Sequence, residues 1–101
     1  MSVIVDFSIF PMDKGTQSLS PYVARAVKIV RESGLPHQLG PMGTAVEGEW
    51  DEVMRVIDRC YKELEPESDR IYMNIKVDSR RDRTGGLKSK TASVTEKLTA
   101  S

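Results

Sequence analysis

The sequence predicts an α+β domain in which two helices cover one face of an antiparallel sheet. Two observations support this fold class. Residues 3–10 and 71–78 place apolar side chains at every second position, which is the pattern of half-buried strands. The segments that begin near residues 20 and 49 instead place them at i, i+3, i+4 and i+7, which is the spacing of a helix with one buried face.

The first strand separates its side chains into two sets. Val3, Val5, Phe7 and Ile9 face one side of the strand, and Ile4, Asp6, Ser8 and Phe10 face the other. Pro11 ends the run, because proline cannot donate a hydrogen bond to a neighbouring strand. A polar loop from Met12 to Leu19 follows.

The first helix has recognisable signals at both ends. Ser20 is predicted to be its N-cap, Pro21 suits the first helical position, and Gly34 suits the left-handed residue that follows many helices. An apolar stripe at helical spacing lies between them: Val23, Ala26, Val27 and Val30.

A hairpin is predicted next, with one strand from His37 to Leu39 and a return strand from Thr44 to Glu47. The segment from Pro41 to Gly48 is rich in glycine and proline, which mark turns. Glycine also lets the backbone approach a ligand closely. The segment is therefore either a tight hairpin alone or a hairpin that borders a small-molecule site.

The second helix is predicted from about Glu49 to Leu64, with acidic residues in its first turn, where the helix dipole favours negative charge. The stripe predicted to pack in the core is Trp50, Val53, Met54, Ile57, Tyr61 and Leu64. The last strand, from Ile71 to Asp78, directs Ile71, Met73, Ile75 and Val77 toward the helices.

The resulting order of strand, helix, strand, strand, helix, strand is the ferredoxin-like arrangement. We interpret residues 1–101 as one domain, in which residues 84–101 form a C-terminal loop and helix. That helix has few apolar residues, Leu87, Val94 and Leu98, and must dock on another surface to be stable.

Composition narrows the class of protein. Fifteen basic and fifteen acidic residues give a net charge of zero, so we expect neither a nucleic acid nor a membrane as partner. The sequence has no apolar run as long as a membrane span and no signal-peptide pattern at its start. A single cysteine fits a reducing compartment. We therefore expect a soluble protein in the cytoplasm.

The sheet face that turns away from the two helices is predicted to be a subunit interface. It carries a mixed set of side chains: Ile4, Asp6, Ser8, Phe10, Tyr72, Asn74 and Lys76. This set is too apolar for a face left in water and too polar for a dry core. A second copy of the chain would shelter it, which predicts a homodimer or homotetramer through this face.

The sequence offers little for catalysis. His37 and Cys60 are each the only residue of their kind; Cys60 is expected in the core, and His37 alone is a weak metal ligand. Asp6 and Glu47 on the strands need partners, since an unpaired buried charge is costly. If these carboxylates are structural, their partner would be Lys76 or an arginine. If they are functional, their partner would be a cationic or amine-bearing ligand. An enzyme that uses either carboxylate as a base is the less favoured alternative.

Arg80 to Arg83 form a basic loop whose arginines either pair with nearby acidic residues at the surface or hold an anion such as phosphate. The sequence does not distinguish these two possibilities. Tyr72, Phe10 and Met42 are the side chains placed to cover a flat ring, because the first two project from the interface face and the third lies in the hairpin.

Seven segments, taken in order, resemble those of one known family. They are Val5 to Pro11, Ser20 to Ala24, Ser33 to Leu35, Pro41 to Thr44 with Glu47 and Gly48, Trp50 to Met54, Ile75 to Asp82, and Lys90 to Leu98. The family is the small thiamine-binding proteins, and the resemblance covers nearly the whole chain. It implies a ferredoxin-like fold and a homo-oligomer, commonly a tetramer. It also implies binding of thiamine or its aminopyrimidine part without catalysis and without a required cofactor.

The resemblance and the predicted placement together give a set of ligand-binding candidates: Ser8, Met42, Gly43, Thr44, Glu47 and Asn74. No residue is assigned to catalysis or to a metal. The expected function is that of a carrier, buffer or sensor for the ligand. The alternative is a regulatory or interaction module for another metabolite or protein, because this fold serves many functions.

Overall fold

The computed structural model describes residues 2–15, 19–81 and 86–100. For Thr99 and Ala100 only the backbone is described. Its elements in chain order are β1 (Ser2–Pro11), α1 (Ser20–Glu32), β2 (His37–Leu39), β3 (Thr44–Glu49), α2 (Trp50–Leu64), a 3-10 turn (Glu65–Glu67), β4 (Ile71–Arg80) and α3 (Gly86–Ala100). The four strands form one antiparallel sheet in the order β2-β3-β1-β4. The predicted ferredoxin-like arrangement is confirmed.

Strand β1 lies in the middle of the sheet and sets the register of its neighbours. It pairs along its whole length with β4, from Ser2 opposite Arg80 to Pro11 opposite Ile71. On its other side it pairs with β3, so that Asp6 lies opposite Ala45. Because directly opposed residues point to the same face, this register fixes which side chains share each face of the sheet.

The core lies between the sheet and the helices α1 and α2. Its most enclosed side chains come from all of these elements: Val3, Val5, Val30, Val46, Val53, Cys60 and Leu64. Cys60 is a core residue, as predicted, with its Sγ 3.5 Å from the carbonyl oxygen of Ala26. Burial raises the pKa of the Cys60 thiol to about 11, so it stays protonated and poorly reactive at neutral pH.

The two helices are also joined at their surface. Arg25 of α1 donates to the carboxylates of Glu63 and Glu67 at 3.2 and 2.8 Å. The hydrogen bond from Arg25, followed by the attraction of its charge, holds the pKa of the Glu67 carboxyl below its ordinary value. This contact holds α1 against the end of α2 at the protein surface, outside the hydrophobic core.

The helix ends differ slightly from the predictions. Leu19, rather than Ser20, occupies the N-cap of α1, without a side-chain cap, and Ser20 is already helical. The left-handed Gly34 is confirmed, with a φ of 76°. Helix α2 begins at Trp50, because Glu49 is its N-cap and forms a capping box with Glu52.

The prediction that Trp50 and Tyr61 pack in the core is wrong. Trp50 is 50% exposed and Tyr61 is 39% exposed. The line of α2 that faces the sheet is centred on residues that lie almost above one another: Val53, Ile57, Cys60 and Leu64. Trp50 and Tyr61 lie on the flank of that line, so the helix leaves them at the edge of the core.

The sheet face away from α1 and α2, here called the open face, is partly covered by α3. The backbone N–H of Gly86 donates to Oε2 of Glu47 at 2.6 Å, and Lys90 pairs with Asp78. Ile4 lies opposite both acidic residues and is buried. Shelter of this part of the face was expected from a second copy of the chain, and α3 provides it instead.

Among the described residues, no helix has both the length and the apolar character needed to cross a membrane.

Candidate functional site

A cleft of about 1250 Å³ lies beside the β2–β3 hairpin, at the end of the open face that α3 leaves bare. Three parts of the chain form its walls. The hairpin contributes residues 38–45, the strands β1 and β4 contribute side chains of the open face, and α1 contributes Val23, Ala26 and Val27. The cleft therefore wraps around the hairpin from one side of the sheet to the other.

Five of the six residues predicted to bind a ligand line this cleft. They are Ser8, Met42, Gly43, Thr44 and Asn74. Ser8 and Asn74 are directly opposed on β1 and β4 and point to the same face. A hydroxyl and an amide thus stand side by side, and together they offer both donors and acceptors to a ligand.

Thr44 and Glu47 differ from the other candidates in position. Thr44 is buried and lies opposite Phe7, so its side chain points toward the helices rather than beside Ser8. Glu47 is 5% exposed, lies outside the cleft and accepts the hydrogen bond from Gly86. The structure thus gives Glu47 a partner within the chain.

Two aromatic rings form the outer wall of the cleft. Phe10 and Tyr72 are opposed on β1 and β4, and their rings stack with centroids 5.6 Å apart and planes 29° apart. Tyr72 is nearly half exposed. Their faces present a flat apolar surface with the negative quadrupole that attracts cations.

Asp6 supplies the negative charge of the cleft. Its carboxylate is 48% exposed and lies 3.7 Å from Nζ of Lys76, the structural partner that the sequence suggested. An exposed ion pair at this distance is worth little, about 0–1 kcal/mol. A cationic ligand could therefore replace Lys76 beside Asp6 at small cost.

The hairpin packs directly against Asp6. The N–H of Gly40 donates to the carbonyl oxygen of Gly43 at 2.8 Å, which closes the turn. A Cβ at Gly43 would lie 2.8 Å from Oδ1 of Asp6 and 3.2 Å from the carbonyl oxygen of Phe7. Position 43 must therefore lack a side chain if the carboxylate is to keep its place.

Met42 projects from the tip of the hairpin and is 91% exposed. Leu39, at the start of the turn, is also exposed. Sequence reasoning missed Leu39, and it placed Val23 on the buried stripe of α1 although this residue lines the cleft. The signal for Leu39 was its position at the edge of a glycine- and proline-rich turn.

Other residues considered for chemistry lie apart from the cleft or are enclosed. His37 is on the exposed edge strand β2, where its Nδ1 lies 2.9 Å from the carbonyl oxygen of Leu35. Arg80 ends β4 and Arg81 follows it in a turn, whereas Asp82 and Arg83 fall outside the described residues. Within the described ranges, no three side chains of His, Cys, Asp or Glu are grouped to hold a metal ion.

The fold and the cleft place this protein among ferredoxin-like α+β domains with a pocket at the β2–β3 hairpin. The chain matches the family described as thiamine-binding protein over residues 5–95 and belongs to that family. The predicted family resemblance is confirmed.

Two curated relatives match this chain over nearly their whole length. A UPF0045 protein of Methanothermobacter thermautotrophicus is 35% identical over 98 residues, which covers 95% of this chain and 99% of the relative. A UPF0045 protein of Mycobacterium bovis is 39% identical over 95 residues, covering 93% of this chain and 92% of the relative.

Solved structures of similar chains share the architecture. A hypothetical protein of Methanocaldococcus jannaschii superposes with a TM-score of 0.84 at 28% identity, covering 94% of this chain and 97% of that one. A protein of Thermotoga maritima, named as a candidate thiamine biosynthesis/salvage protein, superposes with a TM-score of 0.76 at 24% identity, covering 91% of this chain and 99% of that one. At that identity the second likeness shows the fold alone.

Proposed function

We propose that this protein binds thiamine, or its aminopyrimidine part, in the hairpin cleft and releases it unchanged, as a carrier, buffer or sensor. The observation that carries the proposal is the grouping of a half-exposed carboxylate, a stacked aromatic pair and a hydroxyl–amide pair around one cleft in a member of the thiamine-binding family. Each group matches one part of the ligand.

The charge of the cleft suits a cationic ligand. Thiamine carries a permanently positive thiazolium ring and an amino group on its pyrimidine. Asp6 is the carboxylate that reaches the cleft, and its present partner Lys76 is largely exposed. Because such a pair contributes little, exchange of Lys76 for a ligand cation favours binding without a large structural cost.

The walls of the cleft suit flat rings. Phe10 and Tyr72 offer an apolar π surface, and the flexible thioether of Met42 can cover a ring from the hairpin side. Ser8 and Asn74 supply the directional hydrogen bonds that an aminopyrimidine needs. Mostly apolar walls with a few placed polar groups are typical of small-molecule sites.

The reactive groups of the described residues support the proposal that the ligand is bound without chemical change. The Cys60 thiol is buried in the core with its pKa raised to about 11, so it does not serve as a nucleophile. Asp6 is half exposed and paired with a lysine, unlike a base held in a closed apolar pocket. Thiamine should therefore be recovered intact after incubation with the protein, and no cofactor should be needed.

We further propose that the bare part of the open face, around Ser8, Phe10 and Tyr72, is an interface between copies in a homodimer or homotetramer, and that the protein acts in the cytoplasm. The nearly half-exposed ring of Tyr72, beside the partly buried Phe10 and polar side chains, is suited to a surface that is sheltered on assembly.

Calorimetric titration tests the ligand. Thiamine, the aminopyrimidine alone and the thiazolium alone are added to the wild-type protein, to Asp6→Asn and to the control Asp58→Asn. The control also removes one carboxylate charge, but on the exposed surface of α2, where Asp58 pairs with Lys62. We expect Asp6→Asn to weaken thiamine binding about tenfold or more, since hydrogen bonds to charged groups contribute about 1.5–3 kcal/mol.

The control variant should bind as the wild type does. Absence of both heat and thermal stabilisation with millimolar thiamine would count against the ligand. Equal weakening by both variants would count against the cleft as its site.

A second candidate function is an interaction module for another metabolite or a protein. The exposure of Met42 and Leu39 at the hairpin tip favours it, because exposed flexible apolar residues often contact partners. Native mass spectrometry of gently purified protein separates the two candidates. A retained mass other than thiamine would favour the second.

A further inference from the structure

We propose that the main-chain N–H and C=O of Ile9 bind the amino group of the ligand's aminopyrimidine and the ring nitrogen beside it, and thereby set the specificity of the cleft. This inference rests on the proposed function and names the groups that select the ring. Three features of the structure support it: the place where β3 ends, the direction of the β1 backbone and the burial of Ile9.

The first feature is a gap beside β1. The register of β1 with β3 stops at Phe7 opposite Thr44, whereas β1 continues to Pro11 along β4. Two further steps of that register would bring Met42 opposite Ile9, but Met42 lies at the tip of the hairpin and is exposed. Residues 8–10 therefore border the cleft at a place where a neighbouring strand would otherwise lie.

The second feature is the direction of the backbone, which turns Ile9 toward this gap. Along an antiparallel strand, the N–H and C=O of successive residues point alternately to the two neighbouring strands. The N–H of Met12 donates to the carbonyl oxygen of Arg70, on the β4 side. The carbonyl oxygen of Phe7 lies beside Gly43, on the hairpin side. Ile9 is two residues from Phe7 and three from Met12, so both contacts indicate that its polar groups face the hairpin side.

The third feature is that these polar groups are buried. Ile9 is 4% exposed, and among the described residues neither its N–H nor its C=O has a hydrogen-bond partner on the hairpin side. Buried main-chain groups without partners are rare and costly. Pro11, the next residue of β1 with this direction, has no N–H, so Ile9 supplies the donor of this edge. A ligand that pairs with both groups of Ile9 removes the cost.

An aminopyrimidine carries the complementary edge. Its amino group donates and the adjacent ring nitrogen accepts, which matches a C=O beside an N–H. A flat ring placed here takes the position of the residue that β3 lacks. Val23 and Ala26 line the cleft on the helix side of that position. Ser8 and Asn74 line it on the open face and stay available to the other ring nitrogen.

Calorimetric titration with thiamine and oxythiamine tests the inference. In oxythiamine a carbonyl oxygen replaces the amino group and the adjacent nitrogen carries a hydrogen, so donor and acceptor exchange places. We expect oxythiamine to bind the wild type at least about a hundredfold more weakly, because a site built for hydrogen bonds rejects an analogue that leaves its buried groups unpaired. Pyrithiamine keeps the aminopyrimidine but replaces the thiazolium with a pyridinium. It is the matched control and should bind as thiamine does.

An ester bond in place of the peptide N–H of Ile9 tests the main chain itself. The α-hydroxy acid analogue of isoleucine keeps the side chain and removes the N–H. We expect it to weaken thiamine binding about tenfold, since one hydrogen bond to the ligand is lost. The same ester at Ile75 is the control, because by the same alternation its N–H lies at the outer edge of β4. Each ester also weakens one carbonyl of the Ser8–Asn74 pair, so the two variants differ in the direction of the missing N–H.

The outcomes separate this inference from the proposed function. Thiamine binding with equal affinity for oxythiamine, or equal weakening by the two esters, would overturn the assignment of Ile9 and leave the proposed function standing. Absence of binding by thiamine, oxythiamine and pyrithiamine alike would overturn both. Nuclear magnetic resonance gives a direct readout: on addition of thiamine, the amide proton of Ile9 should shift downfield and exchange more slowly, whereas that of Ile75 should not change. Circular dichroism establishes that both ester variants are folded.

Discussion

At one end of the open face, α3 covers Ile4 and Glu47, whereas at the other end Ser8 and Asn74 border a cleft. Ile4 and Ser8 belong to the same strand and the same alternation, so local sequence pattern does not distinguish the two ends. The difference comes from α3, which adds a third layer over half of the sheet. A single added helix thereby divides an otherwise uniform sheet face into one half covered by α3 and one half that is accessible.

The largest effect should come from Ile4→Ala, which removes buried side-chain volume beneath α3. We expect it to lower the free energy of unfolding by about 2–5 kcal/mol, as is usual for such a cavity. Ser8→Ala at the bare end should change it by less than about 0.5 kcal/mol. Urea denaturation followed by Trp50 fluorescence measures both values. Equal losses of unfolding free energy in Ile4→Ala and Ser8→Ala would show that α3 does not distinguish the two ends of the open face.

Gly43→Ala probes how tightly the hairpin packs at the bare end. The new methyl group would meet the Asp6 carboxylate and the carbonyl of Phe7, so we expect a loss of about 1–3 kcal/mol, in the range of overpacked sites. Thermal or urea unfolding of the single variants and of Gly43→Ala with Asp6→Ala forms a double-mutant cycle. The pair should cost less than the sum of the single variants; strict additivity would show that the methyl group and the carboxylate do not meet.

Glu47→Gln probes the attachment of α3 at the covered end. It keeps the shape of the side chain but exchanges a charge-assisted hydrogen bond to Gly86 for a neutral one, so we expect a loss of about 1 kcal/mol. Hydrogen exchange should become faster in α3 and stay unchanged in α1 and α2. Alkylation of Cys60 should stay slow, because the thiol lies in the core on the other side of the sheet. Faster alkylation would mean that α3 supports the whole fold.

Lys76→Ala should have the smallest effect on stability, about 0–1 kcal/mol, because its ion pair with Asp6 is exposed. Its interest is in binding: if a cationic ligand takes the place of Lys76, removal of the lysine should tighten thiamine binding. Calorimetric titration of this variant beside Lys62→Ala, another surface lysine paired with an aspartate, gives the comparison. Weaker binding to Lys76→Ala would indicate that the lysine itself contacts the ligand.

Strand and helix order were predictable from the sequence because side-chain alternation and helical spacing report directly on which face is buried. The register that opposes Ser8 to Asn74 also followed in outline, since both were placed on the same sheet face. Which side chains at the edge of the core are buried was not predictable. Ile75 and Trp50 have the right spacing for the core, but their exposure depends on how far the helices extend over the sheet.

The residues of the candidate site likewise fall into those that the local sequence could predict and those that it could not. Gly43 and Met42 could be placed near a ligand because turn chemistry is local. The partner of Glu47 could not, because it is a backbone N–H that lies 39 residues further along the chain. The apolar residues of α3 are too few to indicate which surface the helix covers, and Val94 and Leu98 indeed stay exposed.

The bond between Glu47 and the main chain of Gly86 has a consequence for the evolutionary record of this fold. Because the donor belongs to the backbone, the hydrogen bond itself does not depend on which side chain stands at position 86, with the exception of proline, which has no N–H. Paired substitutions would therefore leave no trace of this contact. Surveys that detect contacts through correlated change should overlook the anchor of α3 even in a deep set of relatives.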